Sequence, residues 1–90
     1  MKRIYKYSLN MGHPTTIELP TSEYTILHTS FQKDIPYVWI LFDDTNTNCF
    51  SEIKLDIVGT GWGIKYDDFK HIGTIMTSDE LYIWHILQIL

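Results

Sequence analysis

Residues 59–63, "GTGWG", place Gly59, Gly61 and Gly63 directly after the strand-like run "IKLDIV". Glycines spaced like this after a strand can let backbone N–H groups approach a phosphate, and a following helix then adds its dipole. The dinucleotide-binding fingerprint requires its third glycine at position 64, which is Ile64. The other phosphate loop requires Gly-Lys-Ser/Thr from the same position, and it is also absent. The next stretch of chain, "IKYDDFKHIG", is too short and interrupted for a crossover helix. The pattern therefore reads first as a tight turn, its glycines admitting positive φ, with Trp62 packed on a neighbouring strand. The alternative is a non-standard anion nest made by the same N–H groups of Gly59, Thr60 and Gly61, with Lys65 supplying charge.

The other residue types able to do chemistry are dispersed. His13, His28, His71 and His85 have no i,i+2 or i,i+4 partner among them, so no metal site is signalled. His85, inside "YIWHIL", is expected to be buried, with one ring nitrogen hydrogen-bonded. The pairs Asp43-Asp44, Asp67-Asp68 and Asp79-Glu80 fall in expected loops, where turn formation and solubility explain them. Neither a calcium-loop pattern nor a Gly-x-Ser-x-Gly nucleophile pattern occurs. Cys49 stands alone in "TNTNCFSE", without a basic neighbour, and excludes both an internal disulfide and a cysteine-based zinc site. The sequence thus argues against an enzyme and implies no cofactor and no metal.

Ninety residues make one domain, 1–90, that can bury only about 60–65% of its unfolded surface. At 44% hydrophobic and 20% charged the chain is far from the composition of disorder. Six Tyr, four Phe and three Trp exceed what so small a core can hold. Some must lie at the surface, where Tyr and Trp anchor interfaces, which favours a protein partner or a homodimer or higher oligomer. A net charge of −4, with cations scattered except in "KRIYK", gives no footprint for nucleic acid. Eleven acids are likewise too few for a whole-surface DNA mimic and leave room only for a local patch. "MKRIYKYSLN" has no apolar stretch of signal-peptide length, and no run reaches membrane-span length, so a cytoplasmic protein is expected.

The elements that must position these residues have mostly the period of two that marks strands. In "SEIKLDIV" Ile53, Leu55 and Ile57 share one face, and Glu52, Lys54 and Asp56 the exposed one. "TTIELP" turns Ile17 and Leu19 inward, "RIYKYSL" groups Tyr5, Tyr7 and Leu9, and "YTILHTSF" has strand composition. "YVWILF" (37–42) is apolar on both faces, as for a central strand covered on two sides. "LYIWHILQIL" (81–90) is strand or helix by periodicity, and its β-branched and aromatic content favours strand. The turn-like "TSDE" would pair it with "HIGTIM" as a hairpin. Its apolar end should lie inside the sheet or at a dimer seam. "IKYDDFK" (64–70) is the one segment read as a helical turn or two. "NMGHP" (10–14) and "DDTNTN" (43–48) read as turns. The result is an all-β fold of about seven strands, an antiparallel sandwich or partly open barrel, α+β only if the 64–70 helix forms.

In order along the chain, "RIYKYSL", "TIELP", "ILH", "VW", "IVGTG", "IGTI" and "WHIL" resemble a family of short phage and prophage proteins. The likeness runs through Tyr5, Thr16, Ile17, Val58–Gly61, Ile72–Thr74, Trp84 and His85. This sequence departs from the family at Trp62-Gly63, where a His-Pro-like pair is usual, and in its "ILQIL" end. The resemblance implies a viral accessory protein in a bacterial cytoplasm and brings no catalytic residue. The expected function is non-catalytic binding and inhibition of a host antiviral-defence factor, in the manner of an anti-CRISPR, through Trp62, Tyr66, Asp67 and Asp68. A second reading is an oligomeric sponge for a nucleotide-like immune signal, held by the 59–63 nest, Trp62 and Lys65. A third is a structural virion or assembly component.

Overall fold

Alternating apolar residues can be buried only if each strand turns one face to a second layer. The computed structural model, which describes residues 1–45 and 49–90, shows two antiparallel sheets packed face to face. Seven strands form in order: β1 (Lys2–Ser8), β2 (Thr15–Leu19), β3 (Thr25–Gln32), β4 (Ile35–Asp43), β5 (Ser51–Gly59), β6 (Phe69–Met76) and β7 (Ile83–Ile89). The first sheet has the order β1-β4-β3 and the second β2-β5-β7-β6, so the fold is a sandwich and not a closed barrel. Part of the expected turn at 43–48 falls outside the described residues.

Between the sheets lies one core. Ile17 and Leu19 of β2, Val38, Ile40 and Phe42 of β4, Ile53, Leu55 and Ile57 of β5, Ile75 of β6 and Ile86 of β7 are all buried in it. Tyr5 and Tyr7 pack against it as the alternation of β1 requires, Tyr5 stacked on Phe42 with centroids 4.7 Å apart. The C-terminal strand lies inside its sheet, hydrogen-bonded to β5 on one edge and β6 on the other.

Three expectations need correction. Residues 64–70 form no helix; 64–68 run as an irregular segment across the outer face of the second sheet, and 69 and 70 already belong to β6. Asp56 is buried at 8% exposure instead of standing out with Glu52 and Lys54, because that segment lies over it. β4 is central but covered on one face only. Its Tyr37, Trp39 and Leu41 stay half-buried, sheltered by neighbouring side chains: Lys6 Nζ lies 4.5 Å from the Tyr37 ring centroid, and His28 packs 5.4 Å from Trp39.

Charge divides between the layers. Residues 1–9 and 21–45, which build the first sheet, carry as many acids as bases. Residues 15–20 and 51–90 carry Lys54, Lys65 and Lys70 against seven acids, so the entire net charge of −4 belongs to the second sheet and its loops. Among the described residues no helix is long and apolar enough to cross a membrane.

Gly73 of β6 meets Thr29 of β3 where the two sheets come together. A Cβ on Gly73 would overlap Thr29 Oγ1, with Thr29 Cβ and Cγ2 only 3.5 Å away. Thr29 is buried and β-branched, so it cannot easily turn aside. Gly73→Ala is therefore expected to destabilise the fold by about 1–3 kcal/mol, as overpacking does. In a Thr29→Ala background most of that penalty should vanish. Urea unfolding of the four-member cycle measures the coupling.

Candidate functional site

β5 ends in a turn that reverses the chain over its own sheet. Trp62 N–H donates to the Gly59 carbonyl at 3.1 Å, and Gly61, third of the four residues, has φ +87°. Positive φ at that position is the mark of a type II turn and explains the glycine. Gly59 has a different reason: a Cβ there would sit 2.7 Å from the Trp62 indole. Trp62 also meets Trp84 of neighbouring β7 edge-on, with centroids 5.3 Å apart. The turn reading is therefore the one the chain adopts. Thr60 N–H donates to the Ile83 carbonyl at 3.4 Å, so the N–H groups of both Thr60 and Trp62 bond within the protein. An anion would find those donors occupied, and Lys65 Nζ lies 5.5 Å from the Tyr66 ring centroid.

From Thr60 to Asp68 the chain crosses the outer face of the second sheet and is tied down in two places. Tyr66 O–H donates to Asp56 Oδ2 at 2.7 Å, while Asp56 Oδ1 accepts from Ile57 N–H at 2.9 Å. Both carboxylate oxygens of this buried acid are thus satisfied, as burial demands. At the far end Leu90 N–H donates to the Asp68 carbonyl at 3.1 Å. The Asp56 hydrogen bond, helped by desolvation, pushes the Tyr66 phenol up to about 12. Of the residues expected to bind, Tyr66 is thereby a tether of the segment. Lys65, Asp67 and Asp68 are exposed beside it, and Trp62 stands at its start, 59% exposed.

This segment and the sheet beneath it border an open pocket of about 280 Å³. Leu87 and Val58 form its floor; Trp62, Ile64 and Phe69 form its walls. His71 and His85 supply its polar side: His71 Nε2 and His85 Nδ1 are 3.1 Å apart, and His85 Nε2 is 2.9 Å from Thr60 Oγ1. Thr60 Oγ1 in turn reaches the Ile83 carbonyl at 3.2 Å. His85 is consequently half-buried with both ring nitrogens engaged, one more than expected. A larger hollow of about 470 Å³ near the end of β4 mixes Lys2 with Glu23 and Asp43 and has no single chemical character.

Sequence reasoning missed the histidine pair because a bulge creates it. From Met76↔Ile83 to Gly73↔Ile86 the β6–β7 register is regular; beyond Ile72 it slips by one, giving His71↔Leu87. Without the slip His71 would pair with Gln88 and point between the sheets. One extra residue re-aims it to the outer face beside His85, a recognised use of bulges. His71 and His85 could have been placed near each other from the expected hairpin, but not on one face.

The Tyr66 tether makes a pH-dependent contribution. Its folded pKa lies above the ordinary 10.0, so the contribution is complete below pH 10 and is lost as pH rises through about 12. Absorbance titration should show a tyrosine ionising near pH 12, and Tyr66→Phe should remove that step. The variant should also lose stability less steeply than the parent between pH 10 and 12.

The family model described as "Domain of unknown function (DUF7352)" matches residues 1–89. No curated protein and no solved structure matches the chain. With the match running over all seven strands and the 59–63 turn, the chain belongs to the DUF7352 family.

Proposed function

We propose that the protein is a non-catalytic binding module that works by protein–protein interaction through the outer face of its second sheet. The observation carrying this reading is an exposed apolar face on a tethered scaffold. Ile64, Phe69, Met76 and Ile83 stand between 38% and 48% exposed there, and Trp62, 59% exposed, lines the pocket at the end of β5. Alternation puts Met76 and Ile83 on the same side as His85, continuing the face from the pocket towards the β6–β7 hairpin. Contiguous apolar surface of this kind marks interaction sites on small proteins. Thr60, His85 and His71 Nε2 are engaged with one another, so the face offers mainly contact area and shape. The resemblance to phage proteins directs the reading to inhibition of a host antiviral-defence factor in a bacterial cytoplasm. The same face is open to a second copy of the chain.

Native mass spectrometry of protein captured from a bacterial host tests this, with Trp62→Ala and Met76→Ser as variants. A host protein bound in fixed ratio should be lost about tenfold or more in Trp62→Ala, as for a central aromatic anchor. A second copy on this face would instead appear as a parent dimer that the variants turn into monomer. Undiminished capture by both variants, with thermal unfolding unchanged, would overturn the assignment of the face.

A further inference from the structure

We propose that the pocket between Trp62, Phe69 and the His71–His85 pair is the receptor for one tyrosine side chain of the partner, presented between basic residues. The proposal rests on the binding reading above and names what that face takes.

Size comes first. At about 280 Å³ the pocket falls just below the range of about 300–1,000 Å³ usual for drug-sized ligands. It suits a single aromatic ring, with Trp62 and Phe69 as walls and buried Leu87 beneath. Interfaces concentrate their binding energy in such ring-in-pocket anchors.

Hydrogen-bond polarity comes second. Thr60 has one hydroxyl proton, and three contacts must share the donors of Thr60, His85 and His71. With both imidazoles neutral, only one arrangement satisfies all three. Thr60 O–H donates to the Ile83 carbonyl, His85 Nε2–H donates to Thr60 Oγ1, and His71 Nε2–H donates to His85 Nδ1. The tautomers follow from the network. His71 Nδ1 is then left as an acceptor, with no bond from any described residue. Bonds running in one direction also polarise one another, which strengthens that acceptor. An occupant with a donor at its ring's edge, as a phenol provides, can pair with that acceptor.

Charge comes third. The face is flanked by Asp67 and Asp68 where β6 begins and by Asp79 and Glu80 in the hairpin where it ends. Thr77 O–H and Leu81 N–H donate to the Asp79 carboxylate, which holds it below the usual carboxylate range and so ionised. Acids at both ends of an apolar stripe favour cations flanking the tyrosine.

Three amidated peptides test this by NMR titration of the full chain: Arg-Lys-Tyr-Lys-Arg, the same with Phe for Tyr, and Glu-Glu-Tyr-Glu-Glu. The first should shift the resonances of Thr60, Trp62, His71 and His85. The Phe peptide should bind roughly three- to tenfold more weakly, the worth of one hydrogen bond. The acidic peptide should not bind measurably. Thr60→Val, which breaks the chain of donors but keeps the side chain's shape, should bring the Tyr and Phe affinities together. Shifts located elsewhere, equal Tyr and Phe binding to the parent, or equal binding of the acidic peptide would each overturn the proposal. A partner captured through Trp62 while the peptides fail would remove only the tyrosine pocket; peptides that bind while capture ignores Trp62 would remove the interaction reading instead.

Discussion

β7 is hydrogen-bonded on both edges and apolar on both faces, and that combination dictates what lies above the second sheet. Ile86 and Leu87 are consecutive, so they point to opposite sides, yet both are buried, at 0% and 2% exposure. The facing sheet covers Ile86. Nothing in a two-layer sandwich covers Leu87, and leaving a leucine exposed forgoes about 1.5–3 kcal/mol. The segment from Thr60 to Asp68 supplies the missing cover. It is too irregular to be a third layer, so it needs tethers, and the Asp56–Tyr66 and Leu90–Asp68 bonds supply them. The pocket is the space left where a nine-residue segment incompletely roofs a strand that is apolar on its outer side.

The glycines act as clearances in this arrangement. Gly61 bends the chain back, Gly59 leaves room for the Trp62 indole, and Gly73 lets the sheets close at Thr29. Gly73 also adjoins the bulge at Ile72, which carries His71 to the outer face. Sheet closure and the histidine pair are therefore decided within three residues of β6, and the resulting site is built on strands and not on a free loop.

Much of this was legible in the residues. Period-two alternation located β1, β2 and β5, composition and turn signals located the other four strands, and the β-branched and aromatic content of "LYIWHILQIL" favoured strand over helix, as the fold has it. The turn at 59–63 followed from its failure to match either phosphate loop and from the company of Trp62. Other features had no local signal. The two-residue β3–β4 turn uses Lys33 and Asp34 with φ of 50° and 65°, a conformation that usually selects Asn-Gly. The bulge at Ile72 depends on how β6 meets its partner, and the burial of Asp56 depends on a segment ten residues later. Reading helix into 64–70 missed that Tyr66 is held in place by tertiary contact, which overrides local preference. The site was half visible: its turn and tryptophan were in view, its histidines were not.

The uneven division of charge has its own consequence. The molecule is 16 Å thick, about two Debye lengths at physiological salt. A cationic body approaching the acidic layer is attracted by it, while the balanced layer behind is largely screened from view. Encounter is therefore oriented before contact: long-range attraction presents the apolar face first, and the collisions wasted on the wrong side are fewer than for an evenly charged protein of this size.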